Sequence, residues 1–326
     1  MTVAGAMAGR PPTVSVVVPT YRRRALLPRV VAPILDDPAT TELVVVVDGA
    51  HDGSLELLRE LAREDSRLVP LWTENGGEHA ARTAGAADAS GEVLLFVDDD
   101  VVAAPGLVSG HARHHARERG IVVLGYMPVA APPPGRAHPV GTRLYERSYE
   151  HRCRAYAARP DEILQHLWAG NFSIRRDDYL ALPPGSPRFG TVYFGDRDLG
   201  LRCQRAGLRG RFDPALLATH LHTRSLDAFL RECWRQGAGE RVIHELHGDL
   251  VGPFSTEALE VGLPLPVRWL VRALAREPAH RIASPLVRGA TGLAGRLRRQ
   301  RLETQLAQLL RRVERRRGAF HAAHGR

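Results

Sequence analysis

Short, mostly apolar runs recur along the first 130 residues, at 14–18 (Val-Ser-Val-Val-Val), 42–47, 68–72, 93–97 and 121–127. Val/Leu-rich runs of this length read as strands buried on both faces of a parallel sheet. Pro19-Thr20-Tyr21 is expected to stop the first of them. Between the runs, apolar residues switch to helical spacing. Residues 25–36 carry Leu26, Leu27, Val30, Val31, Ile34 and Leu35, 55–63 follow Ser54 as a candidate N-cap, and 78–87 form a small-residue helix. Strand and helix in repeated alternation predict an α/β fold: a doubly wound, mostly parallel sheet with helices on both faces.

Beyond residue 100 the pattern loosens. Pro105 is expected to open a helix to about Arg119. Its His111, His114 and His115 share one face, and with no acid or cysteine among them they read as a solvated face. The Pro-rich stretch 130–139 reads as a loop, and 142–158 as a helix. Gly170-Asn171 introduces a short strand, with a helix from Asp177. Residues 183–192 read as a Pro/Gly-rich connection, and Asp196 and Asp198 then sit in the first turn of a helix that Gly207 ends. A last strand, 216–222, finishes on His220-Leu221-His222. After it come amphipathic helical segments at 225–246, 267–275, 285–297 and 297–317. The expected organisation is a disordered N-terminus at 1–13, a catalytic domain at 14–224 with halves 14–100 and 101–224, and a helical, Arg-rich extension at 225–326.

Composition narrows the picture at two points. All 45 basic residues are arginine, and the +9 net charge is uneven: residues 260–326 carry +11, which leaves the rest near −2. A nucleic-acid partner is therefore disfavoured, because the body is not basic and the tail lacks interleaved aromatics. The tail reads as a helical flap, with peripheral membrane contact or oligomerisation as other uses of a basic amphipathic helix. Cys153, Cys203 and Cys233 lie far apart and read as free thiols of a reducing, cytoplasmic compartment. The opening residues lack the apolar core of a secretory signal, and no run approaches a membrane span.

The candidate chemistry centres on Val93-Leu94-Leu95-Phe96-Val97-Asp98-Asp99-Asp100. A buried strand running into three acids places carboxylates at the sheet edge where α/β proteins bind ligands. Unpaired, they are too costly to bury. A divalent cation carrying substrate phosphates accounts for them, since Mg²⁺ or Mn²⁺ takes one or two carboxylates and completes its shell with phosphate and water. The chain has no GxGxxG after the first strand and no GxxxxGK[ST]. Phosphate charge would then fall to the metal and to arginine. Asp48 at a strand end can accept from a base N–H or a ribose hydroxyl, or simply form a turn. His220 and His222, two apart, share one strand face.

Taken together these pieces resemble the family 2 glycosyltransferases of the GT-A fold, over about residues 14–245. The motifs come in that family's order: Pro19-Thr20-Tyr21, Asp48-Gly49 with Asp52-Gly53-Ser54, Asn75-Gly76-Gly77 with Ala81-Arg82, a DxD motif in Asp98-Asp99-Asp100, Gly170-Asn171-Phe172-Ser173, Asp196-Arg197-Asp198-Leu199-Gly200, and His220/His222. The resemblance implies a nucleoside-diphosphate sugar as donor, UDP-linked by preference and dTDP- or GDP-linked otherwise, with Mn²⁺ or Mg²⁺ as cofactor. It implies a donor pocket of Pro19, Thr20, Tyr21, Asp48, Arg82, Asp98 and Asp99. Asp100 would bind the metal, with Asp98, His220 or His222 assisting. Trp168, Gly170, Asn171 and Asp198 would line the acceptor side, and Asp196 would be the catalytic base of a single inverting displacement. Two departures stand out. Val47-Asp48 replaces a frequent pair of acids, and Gly195-Asp196 replaces a frequent Glu-Asp. A nucleotidyltransferase, for which Arg22-Arg23-Arg24 has the charge but not the glycines, and a non-catalytic membrane- or partner-binding scaffold are the competing readings.

Overall fold

The structure, a computed structural model, describes residues 10–324. Of the segment expected to be disordered, residues 1–9 lie outside the described residues. The chain divides into two units. The first comprises residues up to Ala130 with Arg152–Pro184 and Leu199–Leu221, and the second comprises Ala131–His151, Gly185–Asp198 and the residues from His222 on.

The first unit contains an eight-stranded sheet, in the order β3–β2–β1–β4–β7–β6–β8–β5. Its strands are β1 (Val14–Thr20), β2 (Thr40–Asp48), β3 (Leu68–Thr73), β4 (Val93–Val97), β5 (Val101–Ala103), β6 (Ile121–Tyr126), β7 (Asn171–Arg175) and β8 (Arg209–His220). The N-terminal half is parallel throughout, with β1 between β2 and β4 and β2 beside β3. Beyond β4 the sheet is mixed. β7 runs antiparallel to both β4 and β6, β8 parallel to β6, and β5 antiparallel to β8. Helices α1 (Leu27–Leu35), α2 (Ser54–Glu64) and α3 (Glu78–Asp88) connect the parallel strands, and α4 (Leu107–Arg117) links β5 to β6. The core forms because every residue of β1 and β4 is buried. Phe96 stacks on Phe172 of β7 at 4.8 Å.

Several local expectations need correction. β1 does not stop at Pro19, which pairs with Val46. The ladder from β1 to β4 ends at Val17–Phe96. From there β1 has one neighbour, the edge condition in which proline is tolerated. Ser54 lies inside α2 and Gly53, in the left-handed region at φ 82°, precedes it. Asp52 accepts from the Ser54 amide at 3.2 Å and its hydroxyl at 2.6 Å. Strand β5 was not foreseen, and α4 starts at Leu107 rather than Pro105.

The largest correction concerns the α4 histidines. His111 and His115 are buried, at 0% and 1% exposure. They face the side of β7 that carries Asn171 and Ser173. His111 Nδ1 lies 2.7 Å from Ser173 Oγ and its Nε2 3.0 Å from Asn171 Oδ1, while His115 Nε2 lies 2.8 Å from the same Ser173 Oγ. Asn171 Nδ2 donates to the Leu216 carbonyl at 3.1 Å. That carbonyl can only accept, so the amide orientation is fixed and the chain has one direction. His115 Nε2–H donates to Ser173, Ser173 O–H donates to His111 Nδ1, and His111 Nε2–H donates to Asn171. His111 must then be neutral, since its Nδ1 accepts. Burial pushes the pKa values of both rings down, to about 3 for His111 and about 4 for His115. His114, turned outward, pairs with Asp213 at 2.8 Å.

The second unit is helical, with the N-terminal part of α5 (Val140–Ala158), the first turn of α7 (Gly195–Arg205), and α8 (Leu226–Val251), α9 (Leu265–Leu274), α10 (Glu277–Arg296) and α11 (Gln300–His324). Helix α6 (Arg176–Leu180) belongs to the first unit. α8 and α11 touch backbone to backbone. A Cβ on Gly237 would run into the Arg315 carbonyl, and one on Gly318 into the Trp234 carbonyl. α11 packs inward, with Ala307, Leu310, Val313 and Ala319 buried. Two buried acids join the helices. Glu260 pairs with Arg272 at 2.7 Å and with Arg316, and Glu314 pairs with His280 at 3.0 Å and Arg288 at 3.3 Å. Pro285, expected to begin a segment, sits within α10. All three cysteines are buried. Among the described residues no helix is long and apolar enough to cross a membrane.

Candidate active site

The three acids after β4 turn to three different sets of partners. Asp98 Oδ1 accepts from Arg82 Nη2 at 2.7 Å. Arg82 is 1% exposed, pairs also with Glu78 at 2.5 Å, and lies over the Phe172 ring at 5.8 Å. Asp99 Oδ2 accepts from the Thr20 hydroxyl at 2.8 Å and the Tyr21 amide at 3.3 Å. Burial is the main reason its pKa rises to about 6, reinforced by Asp100 and Asp98 and opposed by Thr20 and Arg23. Asp100 faces His220, with Oδ1 3.1 Å from Nε2, and its other oxygen lies 3.4 Å from Arg23 Nη2.

Strand β5 explains how His220 reaches Asp100. Val101 pairs with His220 across the antiparallel β5–β8 ladder, and the Leu221 amide donates to the Asp100 carbonyl at 2.7 Å. Both side chains are nearly buried, at 9% and 6% exposure. The pair fits a divalent ion. Two ligands bound at right angles at about 2.1 Å stand roughly 3 Å apart, which is the separation observed. A carboxylate with an imidazole suits Mn²⁺ better than Mg²⁺, which prefers oxygen throughout.

At the neighbouring strand ends, Asp48 is 4% exposed, and its two oxygens accept from the Gly76 and Gly77 amides at 2.8 and 3.0 Å. Asn75 Nδ2 donates to the Asp48 carbonyl at 3.0 Å. Asp48 therefore ties down the 75–77 turn. Pro19 and Thr20 are buried, and Tyr21 is 44% exposed with the Arg22 guanidinium 5.0 Å from its ring centre. Arg22 itself is left-handed at φ 56°, a strained backbone for a non-glycine residue.

On the expected acceptor side, Gly170 (φ 119°) is the closest neighbour of the acids. A Cβ there would stand 2.7 Å from Asp98 Oδ2 and 2.9 Å from Met127 Sδ, and the Gly170 carbonyl accepts from the Asp98 amide at 3.2 Å. Asn171 is 2% exposed and its amide is spent on His111 and Leu216, so it acts inside the first unit. Trp168 is half-buried in the same unit.

Asp196, Asp198 and His222 belong to the second unit. The turn carrying Asp196 is held by its neighbours. Arg197 pairs with Glu240 of α8 at 2.8 Å, and Asp198 meets His247 of α8 at 2.8 Å, both of the latter buried. His247 departs from helical geometry (φ −130°, ψ 27°), and Phe194, just before the helix, is left-handed at φ 78°. Burial alone would raise the Glu240 pKa, but His244, Arg197 and Arg315 overrule it and hold the carboxylate down at about 2. Asp196 is half-buried at the centre of this turn. The His222 ring stacks on Tyr145 at 4.2 Å.

Sequence reasoning missed Arg23, Glu240 and His247. Arg23 was visible only as charge in a basic run, and nothing local marked the two α8 residues as partners of α7.

Residues 15–181 match the model of glycosyl transferase family 2, about half of the 326-residue chain, and the chain belongs to that family. It is 42% identical over 94 residues to the undecaprenyl-phosphate 4-deoxy-4-formamido-L-arabinose transferase of Aeromonas hydrophila, covering 27% of this chain and 29% of that protein. It is 32% identical over 92 residues to the GalNAc(5)-diNAcBac-PP-undecaprenol beta-1,3-glucosyltransferase of Campylobacter jejuni, covering 27% and 30%. The match thus spans under a third of each of these relatives. Among solved structures it is similar to the mannosyltransferase PcManGT from Pyrobaculum calidifontis, in complex with GDP-Man and Mn²⁺, with a TM-score of 0.59 at 18% identity, over 95% of this chain and 88% of that one. It is also similar to GalNAc-T7 with UDP, GalNAc and Mn²⁺, with a TM-score of 0.52 at 14% identity, over 76% and 54%. These likenesses establish the GT-A-type fold, including its mixed sheet.

Proposed function

We propose that this protein transfers a glycosyl group from a nucleoside-diphosphate sugar to an acceptor hydroxyl or amine in one inverting displacement, with Mn²⁺ or Mg²⁺ bound at Asp100 and His220. The observation that carries this reading is the 3.1 Å approach of Asp100 to His220 at the end of the strand bearing Asp98 and Asp99, in a member of glycosyl transferase family 2. His222 is not used in it.

When bound, the ion would supply Lewis-acid neutralisation of the departing diphosphate. The chain's own residues do the rest. Arg82 fixes Asp98, while Thr20 and the Tyr21 amide fix Asp99, so both carboxylates are oriented before the donor arrives. Arg23 adds a cation beside the site of developing phosphate charge, which favours the transition state over the ground state. Asp48 shapes the 75–77 turn, and the exposed Tyr21 ring offers a stacking face to a base, uridine being the first choice and thymidine or guanosine the others. Asp196 takes the acceptor proton as the acceptor atom bonds to the anomeric carbon and the bond to the phosphate oxygen breaks.

Thermal melting against UDP, dTDP and GDP, each with and without Mn²⁺, tests the donor site. A ligand at 100 times its dissociation constant adds about 2.7 kcal/mol. The expected result is a Mn²⁺-dependent shift with one nucleotide, lost in Asp100→Ala and in His220→Ala. No shift with any nucleotide removes the donor site. A shift that survives both substitutions removes the metal assignment.

A further inference from the structure

Among the described residues, every large apolar side chain more than half exposed lies between Val261 and Leu297: Val261 (76%), Leu265 (68%), Trp269 (70%), Ile282 (71%), Leu286 (68%), Leu293 (55%) and Leu297 (58%). On α10, Ile282, Leu286 and Leu293, with Leu297 just past its end, are spaced by four, seven and four, which is one helix face. Of the other exposed positions on the same face, Pro285, Gly289 and Ala290 are uncharged, and Arg296 closes it at the C-terminal end. Leu265 and Trp269 share a face of α9 in the same way. The opposite side of α10 is spent on packing, with Ser284, Thr291 and Ala294 buried. α10 thus packs through small residues on its inner side and leaves an apolar outer side open, a cost no isolated solvent-facing helix needs to carry.

Charge identifies what covers the outer face. From 261 to 302 there are nine arginines and one acid, Glu277, which pairs with Arg281 at 3.1 Å and Arg317 at 2.6 Å, while Arg272 is paired with Glu260 and Arg288 with Asp227 and Glu314. Arg296, Arg298, Arg299 and Arg301 are exposed around Leu297. Arg272 and Arg276, at the end of α9, line a cavity of about 520 Å³ against α11, together with Arg316, Arg317 and Phe320. A second copy of the chain would bring one arginine-rimmed face against another, because a two-fold contact repeats the same patch. An anionic lipid surface offers both the apolar depth and the opposite charge. Trp269 is the residue type favoured at such a boundary.

We propose that α9 and α10 dock this protein onto an anionic membrane surface. They lie in its plane, with Trp269, Ile282, Leu286, Leu293 and Leu297 in the acyl boundary and the arginines at the lipid phosphates. α11 is committed to α8, and it is α9–α10 that remains open.

Co-sedimentation of the full chain with phosphatidylglycerol/phosphatidylcholine vesicles, and with phosphatidylcholine alone, tests this. Binding should follow the phosphatidylglycerol content and weaken with salt. I282E/L286E/L293E should lower the partition coefficient at least tenfold while its melting temperature matches the parent, since all three side chains point outward. R296Q/R298Q/R299Q should lower it about fivefold per arginine. The proposal is overturned if the parent stays in the supernatant at every lipid composition, or if the triple glutamate variant binds as the parent does. A parent that is dimeric where that variant is monomeric also overturns it, by making the face a protein interface. Nucleotide melting on the same samples reports the donor site separately, so failure of either reading leaves the other standing.

Discussion

Ser173→Ala removes one oxygen and should do unusual damage. In the native chain Ser173 O–H donates to His111 Nδ1 at 2.7 Å and accepts from His115 Nε2–H at 2.8 Å. Its loss leaves two buried ring nitrogens without partners, and His115 Nδ1 already has none. Each orphaned buried polar group costs about 1–3 kcal/mol, so the expected loss is about 2–4 kcal/mol, against about 0.5 kcal/mol or less for a surface change. Urea unfolding at pH 7.5, read as a shift in midpoint at constant slope, measures it. The sharper measurement is a cycle with His115→Leu. In the double variant His111 Nδ1 is the only new orphan, so the two costs should fall short of their sum by about 1 kcal/mol or more. A Ser173→Ala variant within 0.5 kcal/mol of the parent, or strict additivity with His115→Leu, refutes the hydrogen-bond chain.

The same histidines set the response to acid. Burial holds His111 at about 3 and His115 at about 4, against 6.5 when free. Below pH 6.5 the unfolded chain takes up protons that the folded chain refuses. Stability from these groups is therefore full above 6.5 and falls as pH drops toward 4, by up to about 2.7 kcal/mol per pH unit for the two together. His115→Gln keeps a donor toward Ser173 but cannot titrate, so it should remove about half of that slope. Parallel pH–stability curves for the two proteins contradict the buried neutral state of His115.

Gly170→Ala should cost about 1–3 kcal/mol and weaken donor binding, because its Cβ meets Asp98 Oδ2 at 2.7 Å and φ 119° disfavours any side chain; melting and nucleotide titration check the two effects, and an unchanged donor affinity argues against Asp98 in the donor site. Glu240→Gln should destabilise the second unit and erase an acid transition. Glu240 is held at about 2 against 4.5 when free, so its stabilisation is present above pH 4.5 and lost as pH falls toward 2. Acid titration of parent and variant by circular dichroism should separate above pH 4.5 and converge below it.

How much of this was legible in the sequence depends on the range of the interactions. The five apolar runs located β1 to β4 and β6 to within two residues at each end, because an apolar strand announces itself in its own residues, although β3 is only partly buried and leaves Trp72 exposed. β5 did not. Three residues after an acidic turn carry no pattern, and Val101–Ala103 is a strand only because β8 pairs with it. The α4 histidines failed for the same reason. Judged by helical neighbours they face water, but their partners Asn171 and Ser173 lie about 60 residues away on β7. The mixed half of the sheet escaped too, since antiparallel β7 between β4 and β6 depends on topology rather than on composition.

The site shows the same division at finer grain. The sequence displays three adjacent acids, and adjacency suggests three equivalent ligands for one ion. Their partners make them unequal. Asp98 Oδ1 is held by Arg82, and Asp99 Oδ2 by Thr20 and the Tyr21 amide. Asp100 alone faces an imidazole at ligand spacing. That selection is made by a three-residue strand whose pairing brings residue 220 beside residue 101. Asp99 carries the electrostatic cost of the arrangement, with a pKa raised to about 6 mainly by burial.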